Sequence, residues 1–271
     1  TIDFMKEIVL RSLSGLLYVF LIIGSALFSE TLFYCVIAVF SGLALLEFLR
    51  LQELNSPIPY LFLLLLWIQC VFQFLPQSVL DVLLVLVVLM NCYLGINLFQ
   101  LPLKSFSRKF SFLAALLYIV GSSYFISALV QINSSFRVWA VLFVYLAIWT
   151  NNSFAYLAGR LLGKNALFPS ISPKKTWEGF WGGLVFTLLL SYLIYMRQSV
   201  YSIWFFIGVG VLISVFATLG DLVQSKFKRL KAVKDSGSLI PGHGGFFDRM
   251  DSAIFVSPWF YLLLNLKEYV S

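Results

Sequence analysis

The segment from Gly220 to Asp251 gathers charged side chains in a chain that is otherwise strongly apolar. It holds four of the twelve acidic residues, six of the nineteen basic residues and the single histidine, His243. Asp221 follows Gly220 directly, and Asp248 and Asp251 are three residues apart, so on a helix they share one face. Isolated carboxylates are costly at the edge of a membrane, but a bound cation offsets that cost, and hard oxygen ligands favour Mg²⁺. Acids and bases mixed in this way indicate a metal–nucleotide site rather than a plain anion site.

Basic residues and glycines fill the middle of this segment. The basic residues after Ser225 are Lys226, Lys228, Arg229, Lys231 and Lys234. They predict a clamp for a triphosphate or a lipid phosphate, with an amphipathic helix on anionic lipid as the alternative. Residues 241–245 then place three glycines and a proline around His243, which predicts backbone that comes close to a ligand, with a flexible turn as the alternative. His243 could bond a phosphate or the nucleotide.

A second polar region lies upstream. Asn152 stands near the end of an apolar stretch, where polar side chains are costly unless they face the bundle interior or a wet cavity. Further on, Ser172 and Pro173 precede Lys174 and Lys175, and the proline favours a stiff turn because it disfavours helix in the residue before it. Two adjacent ammonium groups on such a turn predict a phosphate clamp. Lysines that set membrane topology beside anionic headgroups are the alternative.

The elements that must position these residues are membrane helices. Hydrophobic residues make up 61% of the 271-residue chain and charged residues 11%, which excludes a soluble globular enzyme, a disordered chain and a disulfide scaffold. The apolar stretches are continuous rather than alternating, which predicts an all-α polytopic membrane protein and not a β-barrel. The cysteines at 35, 70 and 92 lie inside apolar runs and are interpreted as small hydrophobic residues.

Nine apolar segments predict nine transmembrane helices. They cover roughly residues 12–28, 31–49, 58–75, 79–98, 110–130, 136–157, 180–196, 202–220 and 252–266. With the N-terminus in the cytoplasm, sixteen of the nineteen Lys and Arg residues fall on the inner side, as the positive-inside rule requires. The net charge of +7 therefore indicates topology rather than nucleic-acid binding. No cleavable signal peptide is expected.

This topology divides the chain in two. Residues 1–135, with about five spans, are predicted to be an N-terminal transmembrane scaffold, and residues 136–271 a C-terminal catalytic region. The catalytic region carries two long cytoplasmic loops, 158–179 and 221–251, which contain the charged segments.

These motifs resemble the CDP-diacylglycerol synthases, also called phosphatidate cytidylyltransferases. The signature of that family is matched by Ser225, Lys228, Arg229, Lys234, Asp235, Gly237, Pro241, His243, Gly244, Gly245, Asp248, Arg249 and Asp251. An upstream segment is similar through Ser172, Pro173, Lys174, Lys175, Thr176, Glu178, Gly179, Gly182 and Gly183. The matches lie within about residues 150–255, whereas the first 130 residues resemble the family only in being hydrophobic spans.

The resemblance implies transfer of a cytidylyl group from CTP to phosphatidic acid, giving CDP-diacylglycerol and pyrophosphate. It implies Mg²⁺ held by Asp221 and Asp248 with support from Asp251, and room for a second cation. Phosphates are expected on Lys174, Lys175, Lys228 and Arg229. The remaining expected substrate-binding residues are Ser172, Ser225, Lys234, Asp235, His243, Gly244, Gly245, Arg249 and Asn152. The implied protein is a multi-pass, homodimeric enzyme of the cell inner membrane. Its site faces the cytoplasm, takes a membrane lipid from the inner leaflet and binds no nucleic acid.

Two positions depart from the pattern of that family. Asn152 stands where the family usually carries Asp, and Gln224 where it often carries Glu. Asn152 keeps an oxygen but lacks the charge, so a cation site that used it would be weaker.

Other functions give different patterns. A polyprenol kinase or a cytidylyltransferase for another lipid phosphate is the nearest alternative. The absence of any Asp-Gly dipeptide argues against a CDP-alcohol phosphotransferase. A transporter would place its charges near the middle of the membrane on broken helices, and a scaffold protein would not need so many charges in one glycine-rich segment.

Overall fold

The structure is a computed structural model that describes residues 2–100, 105–131, 137–197, 201–237, 239 and 244–270. Its helices in these ranges are α1 (Ile2–Phe28), α2 (Glu30–Leu51), α3 (Ile58–Phe72), α4 (Gln77–Asn97), α5 (Arg108–Ala128), α6 (Arg137–Leu162), α7 (Trp177–Tyr195), α8 (Ile203–Leu230) and α9 (Phe247–Val270). Helix α5 contains a π-helical stretch at Ala115–Gly121. Each of the nine predicted apolar segments is thus helical over most of its length.

Long apolar helices dominate the described residues. Six of them, α2 and α4 to α8, are long and apolar enough to cross a membrane, and shorter apolar helical segments lie at Leu13–Phe28 and Ile58–Phe72. The prediction of an all-α protein is therefore confirmed, and these helices suit a membrane protein in length and composition. The count of nine crossings and the cytoplasmic N-terminus stay predictions.

The predicted loop 221–251 is helical for its first ten residues, because α8 continues to Leu230. This stretch contains neither proline nor glycine after Gly220, and its apolar members Leu222, Val223 and Phe227 are buried. Lys228 and Arg229 lie in the last turn, where cations complement the helix dipole. The prediction of a loop was wrong here, because residues 221–230 have the charged composition of a loop but the periodicity of a helix.

The predicted loop 158–179 contains a small β-hairpin within the otherwise α-helical fold. Helix α6 extends to Leu162, and strands β1 (Ala166–Phe168) and β2 (Ser172–Thr176) follow and pair antiparallel. Lys174 and Lys175 therefore lie on a strand and not on a turn. Ladder hydrogen bonds hold this strand, so the two lysines are still on a rigid support.

The hairpin is tied to the start of α7. The Thr176 hydroxyl accepts a hydrogen bond from the Gly179 N–H (3.1 Å) and so caps the helix. The Glu178 carboxylate accepts one from the Asn165 side-chain amide (2.9 Å) and one from the Lys164 N–H (3.1 Å). These contacts fix the direction in which β2 leads into α7.

Helices α6 and α7 lie unusually close because glycines face small residues. A Cβ on Gly182 would collide with the Cβ of Ala158, and one on Gly183 would lie 2.7 Å from the Asn151 Oδ1. The Phe154 and Phe186 rings stack with centroids 3.6 Å apart. Close approach of this kind is typical of helix packing in membranes.

The buried core is continuous between the two halves of the chain. Phe48 of α2 packs edge-on against Phe227 of α8 and Phe247 of α9, with ring centroids 5.1 and 5.6 Å away. Tyr118 of α5 is fully buried against the same aromatic group. The predicted division near residue 135 stays a prediction, and the N-terminal helices pack directly against the helices that carry the charged motifs.

Candidate active site

A cavity of about 720 Å³ opens between the hairpin and helices α6 to α9. This volume is within the usual range for a small-molecule site. Of the residues expected at the site, those that line the cavity are Asn152, Lys174, Lys175, Asp221, Lys228, Asp235, Asp248, Arg249 and Asp251. The structure thus brings side chains from both polar segments around one space, while their chemical roles stay predictions.

Asp221 is held by a partner from the hairpin. Its Oδ2 lies 2.7 Å from the Lys175 Nζ, and its Oδ1 accepts a hydrogen bond from the Ser225 hydroxyl at 3.2 Å. Ser225 itself does not line the cavity, but it fixes a carboxylate that does.

Asp248 accepts hydrogen bonds on both carboxylate oxygens. Its Oδ1 receives the Lys228 ammonium at 2.6 Å and the side-chain amide of Gln224. Its Oδ2 receives the Ser236 N–H (3.0 Å), the Ser236 hydroxyl (2.9 Å) and the Gly245 N–H (3.0 Å). Burial alone would raise the pKa of this carboxyl, but the charge and hydrogen bond of Lys228 and the other donors outweigh burial and lower it. The group is therefore charged at neutral pH.

Asp251 lies one turn further along α9 and is 8% exposed. Its Oδ1 accepts a hydrogen bond from the backbone N–H of the next residue, Ser252. Burial and the negative charge of Asp221 raise its pKa, while the charges of Lys175 and Lys228 act in the opposite direction. A cation in the cavity would reduce the cost of burying the charged form.

The three carboxylates do not form a ready-made metal centre. In the part of the chain that the structure describes, no three His, Cys, Asp or Glu side chains come close enough to hold an ion by themselves. Two of the expected ligands, Asp221 and Asp248, are instead paired with lysines. Mg²⁺ usually takes only one or two carboxylates and completes its shell with substrate phosphates and water, so this arrangement fits an ion that enters with a nucleotide.

A further oxygen supports this fit. Gln224 is 1% exposed and lines the cavity, and its amide nitrogen donates to Asp248. Its Oε1 has no hydrogen-bond partner among the residues that the structure describes. A buried acceptor without a donor is costly, and a cation or a ligand N–H would satisfy it. Hard oxygen donors in this number suit Mg²⁺ better than a softer metal.

Arg229 does not line the cavity, and its expected role as a phosphate ligand stays a prediction. Its Nε donates to the Ile171 carbonyl at 3.2 Å and its Nη1 to the Val233 carbonyl at 3.0 Å. The guanidinium therefore ties the hairpin and the following loop to the end of α8. Arg229 thus helps to position the hairpin that carries Lys174 and Lys175.

Other expected residues also lie outside the cavity lining. Ser172 begins β2, Lys234 is exposed on the loop, and Gly245 contributes its N–H to Asp248. Gly244 has a φ of +81°, a conformation that glycine adopts without strain. His243 lies outside the described residues.

Several cavity residues were missed from the sequence. Tyr156 and Arg160 follow Asn152 at intervals of four residues on α6, and Thr218 precedes Asp221 by three on α8. Helical spacing of this kind places side chains on one face, so periodicity could have found them. Phe180 of α7 also lines the cavity and carries no comparable signal.

The chain is similar to cytidylyltransferases. The sequence model of the cytidylyltransferase family matches residues 9–267. Proteins named phosphatidate cytidylyltransferase from Staphylococcus epidermidis, Staphylococcus aureus and Staphylococcus haemolyticus are each 46% identical over 125 residues, covering 46% of this chain. That match spans about half of each relative, 48% of its length. Because the family match covers nearly the whole sequence, the chain belongs to the cytidylyltransferase family.

Proposed function

We propose that the protein is a phosphatidate cytidylyltransferase, which transfers CMP from CTP to phosphatidic acid. A phosphate oxygen of the lipid attacks the α-phosphorus of CTP and forms a new P–O bond. The bond from the α-phosphorus to the bridging oxygen breaks, and pyrophosphate leaves with that electron pair. The products are CDP-diacylglycerol and pyrophosphate.

The observation that carries this proposal is the pair of lysine–carboxylate contacts in one cavity. Lys175 meets Asp221 at 2.7 Å, and Lys228 meets Asp248 at 2.6 Å. The reaction must bring two phosphorylated anions together, so positioning and cationic stabilisation supply most of its catalysis. A cavity with cations and cation-binding oxygens side by side suits that requirement.

The cations of the cavity come from four elements. Arg160 belongs to α6, Lys174 and Lys175 to β2, Lys228 to α8 and Arg249 to α9. We assign them to the triphosphate and the lipid phosphate. Charge spread over several directions can hold two phosphate groups while the reacting atoms stay in line.

Asp221 and Asp248, with Gln224 and Asp251 beside them, are the groups that would hold Mg²⁺. When bound, the ion neutralises charge on the phosphates and on the leaving pyrophosphate. The chain's own contribution is to fix the carboxylates through Ser225, Ser236 and Gly245, so that they need little rearrangement.

The proposal includes an arrangement in the membrane. The distribution of Lys and Arg supports a cytoplasmic N-terminus, nine crossings and a site on the cytoplasmic side of the inner membrane, where CTP is available. Phosphatidic acid would enter sideways from the inner leaflet. A homodimer is part of the proposal and rests on the family resemblance alone.

The test uses the full chain in lipid-containing detergent micelles with phosphatidic acid, Mg²⁺ and CTP labelled on either the α- or the γ-phosphate. We expect label from the α-phosphate in the lipid and label from the γ-phosphate in pyrophosphate. Lipid labelled from the γ-phosphate would identify a kinase instead. If neither the parent protein nor its Asn152→Asp variant makes α-labelled lipid, while a polyprenol phosphate is labelled, the lipid substrate proposed here is wrong. No labelled lipid with either acceptor would overturn cytidylyl transfer.

A further inference from the structure

Glu47 belongs to the N-terminal helices, yet its carboxylate lies at the start of α9. It is in the last turn but one of α2 and is 2% exposed. Its Oε1 accepts the Phe246 N–H at 3.1 Å, and its Oε2 accepts the Phe247 N–H at 3.0 Å. These are N–H groups at the first residues of α9, where a helix has unsatisfied donors and favours a negative charge.

The same carboxylate also holds the loop before α9. The Ser236 hydroxyl lies 2.9 Å from the Glu47 Oε2 and 2.9 Å from the Asp248 Oδ2. The hydroxyl carries one proton and donates to one of these oxygens at a time, so Ser236 lies between the two carboxylates and can hydrogen-bond to either. Glu47 is thus one hydrogen-bonding residue away from a carboxylate of the proposed metal site.

Two loop glycines are explained by this contact. A Cβ on Gly237 would lie 2.5 Å from the Glu47 Oε1, and a Cβ on Gly245 would collide with the Oε2. The loop therefore comes so close to Glu47 that neither position accepts a side chain without movement. Gly245 at the same time donates its N–H to Asp248.

We propose that Glu47 is a positioning residue that sets the first turn of α9 and, through Ser236 and Gly245, the orientation of the Asp248 carboxylate. The Glu47 carboxylate accepts two backbone donors and lies within hydrogen-bond distance of a hydroxyl, all from the segment that carries the proposed metal ligand. The inference rests on the proposed function for its kinetic part alone, since the hydrogen-bond part can be measured without turnover.

Glu47→Gln is the test variant. It keeps the shape of the side chain, but its amide NH₂ must face at least one of the three donors that the carboxylate accepts. The matched control is Glu53→Gln. Glu53 follows the same helix, is exposed, and its carboxylate lies 2.7 Å from the Lys231 Nζ. Neither Glu53 nor Lys231 lines the cavity. Ser236→Ala is the second variant, because it breaks the link to Asp248 and leaves the two backbone contacts of Glu47 in place.

Hydrogen exchange on the full chain in micelles is the first readout. We expect the amides of Gly245, Phe246 and Phe247 to exchange about tenfold faster or more in Glu47→Gln, with α7 unchanged and with no effect of Glu53→Gln. Unchanged exchange at these amides would overturn the positioning role whatever the activity of the protein.

Kinetics is the second readout. We expect the Mg²⁺ and CTP concentrations for half-maximal rate to rise about tenfold in Glu47→Gln and by a smaller factor in Ser236→Ala. A merely structural role would lower the active fraction and leave both concentrations unchanged, and that result would refute the inference. If Glu47→Gln does not fold, Ser236→Ala decides by its kinetics and by exchange at Gly245, whose N–H donates to the Asp248 carboxylate that Ser236 also contacts. An inactive parent protein would count against the proposed function and leave the exchange result to decide the role of Glu47.

Discussion

Lys175 and Asp221 lie 2.7 Å apart, although one belongs to a β-hairpin and the other to a long helix. Each neutralises the other across the edge of the cavity. An incoming phosphate competes with Asp221 for the ammonium, and an incoming cation competes with Lys175 for the carboxylate. The two competitions support each other, so we expect nucleotide and Mg²⁺ to bind together more readily than either alone.

Lys175→Ala should therefore reduce kcat/KM for CTP by at least about thirtyfold, because it removes a phosphate contact and leaves Asp221 without its charged partner. Initial rates at several CTP concentrations measure this effect. Lys164→Ala is the control, because Lys164 is exposed near the same hairpin and does not line the cavity. Equal losses in both variants would mean that any lysine near the hairpin matters through the membrane surface and not through the cavity.

Asp248→Asn should destabilise the protein by about 1.5–3 kcal/mol at neutral pH, because the amide cannot accept all the donors that now converge on the carboxylate. The lowered pKa of Asp248 fixes the pH dependence. A carboxyl whose pKa is depressed in the folded state contributes stability above its unfolded pKa, about 4, and loses it as pH falls through the folded value.

Thermal unfolding of both proteins from pH 7 to pH 3 tests this point. The difference between parent and Asp248→Asn should stay constant above about pH 5 and shrink below about pH 4. A difference that grows toward acid pH would show that Asp248 is protonated in the native protein. That result would remove it from the proposed metal site.

Much of the fold could be predicted from the sequence, because long apolar runs have few options in a bilayer. The helical end of α8 was not predicted, because a charged run such as residues 221–230 is typical of a loop. Thr218, Asp221, Ser225 and Lys228 in fact repeat every three or four residues, which is the period of a helix. A polar helix face that lines a cavity has the composition of a loop and the periodicity of a helix.

The individual long-range pairings could not be predicted. Glu47 stands alone in an apolar segment, and no local pattern indicates that its carboxylate meets Phe246 and Phe247. The ion pairs of Lys175 and Lys228 also join residues that are distant in the sequence. Such contacts depend on how helices pack, and a single sequence carries no direct record of that packing.

Asn152→Asp should raise the apparent affinity of the protein for Mg²⁺. Asn152 lines the cavity, and its amide donates to the Ser252 hydroxyl at 3.3 Å. A carboxylate at this position would accept from that hydroxyl once it turns away from the Ala217 carbonyl, to which it now donates. The added carboxylate raises the negative charge around the proposed ion. We expect the Mg²⁺ concentration for half-maximal rate to fall about three- to tenfold.

The control for this prediction is Ser170→Asp, which places the same charge on the exposed hairpin turn outside the cavity. Magnesium titrations of the rate, together with the increase in melting temperature on adding Mg²⁺ and CTP, distinguish the two variants. An equal shift for Ser170→Asp would point to a general effect of surface charge on the local Mg²⁺ concentration.

Gly182→Ala tests whether the close contact of α6 and α7 supports the site. The added methyl would collide with the Cβ of Ala158, a rigid neighbour that cannot turn away, so the helices must move apart. Overpacking of this kind costs about 1–3 kcal/mol. Because α7 begins directly after β2, the separation should also displace Lys175 and lower activity.

Gly208→Ala is the matched control, since a Cβ there meets nothing within 4 Å and alanine is the better helix former by about 0.5–1 kcal/mol. We therefore expect thermal unfolding in micelles to shift downward for Gly182→Ala and to stay level or rise for Gly208→Ala. Equal melting temperatures would show that α6 and α7 are not packed closely enough at Gly182 for an added methyl group to collide with Ala158.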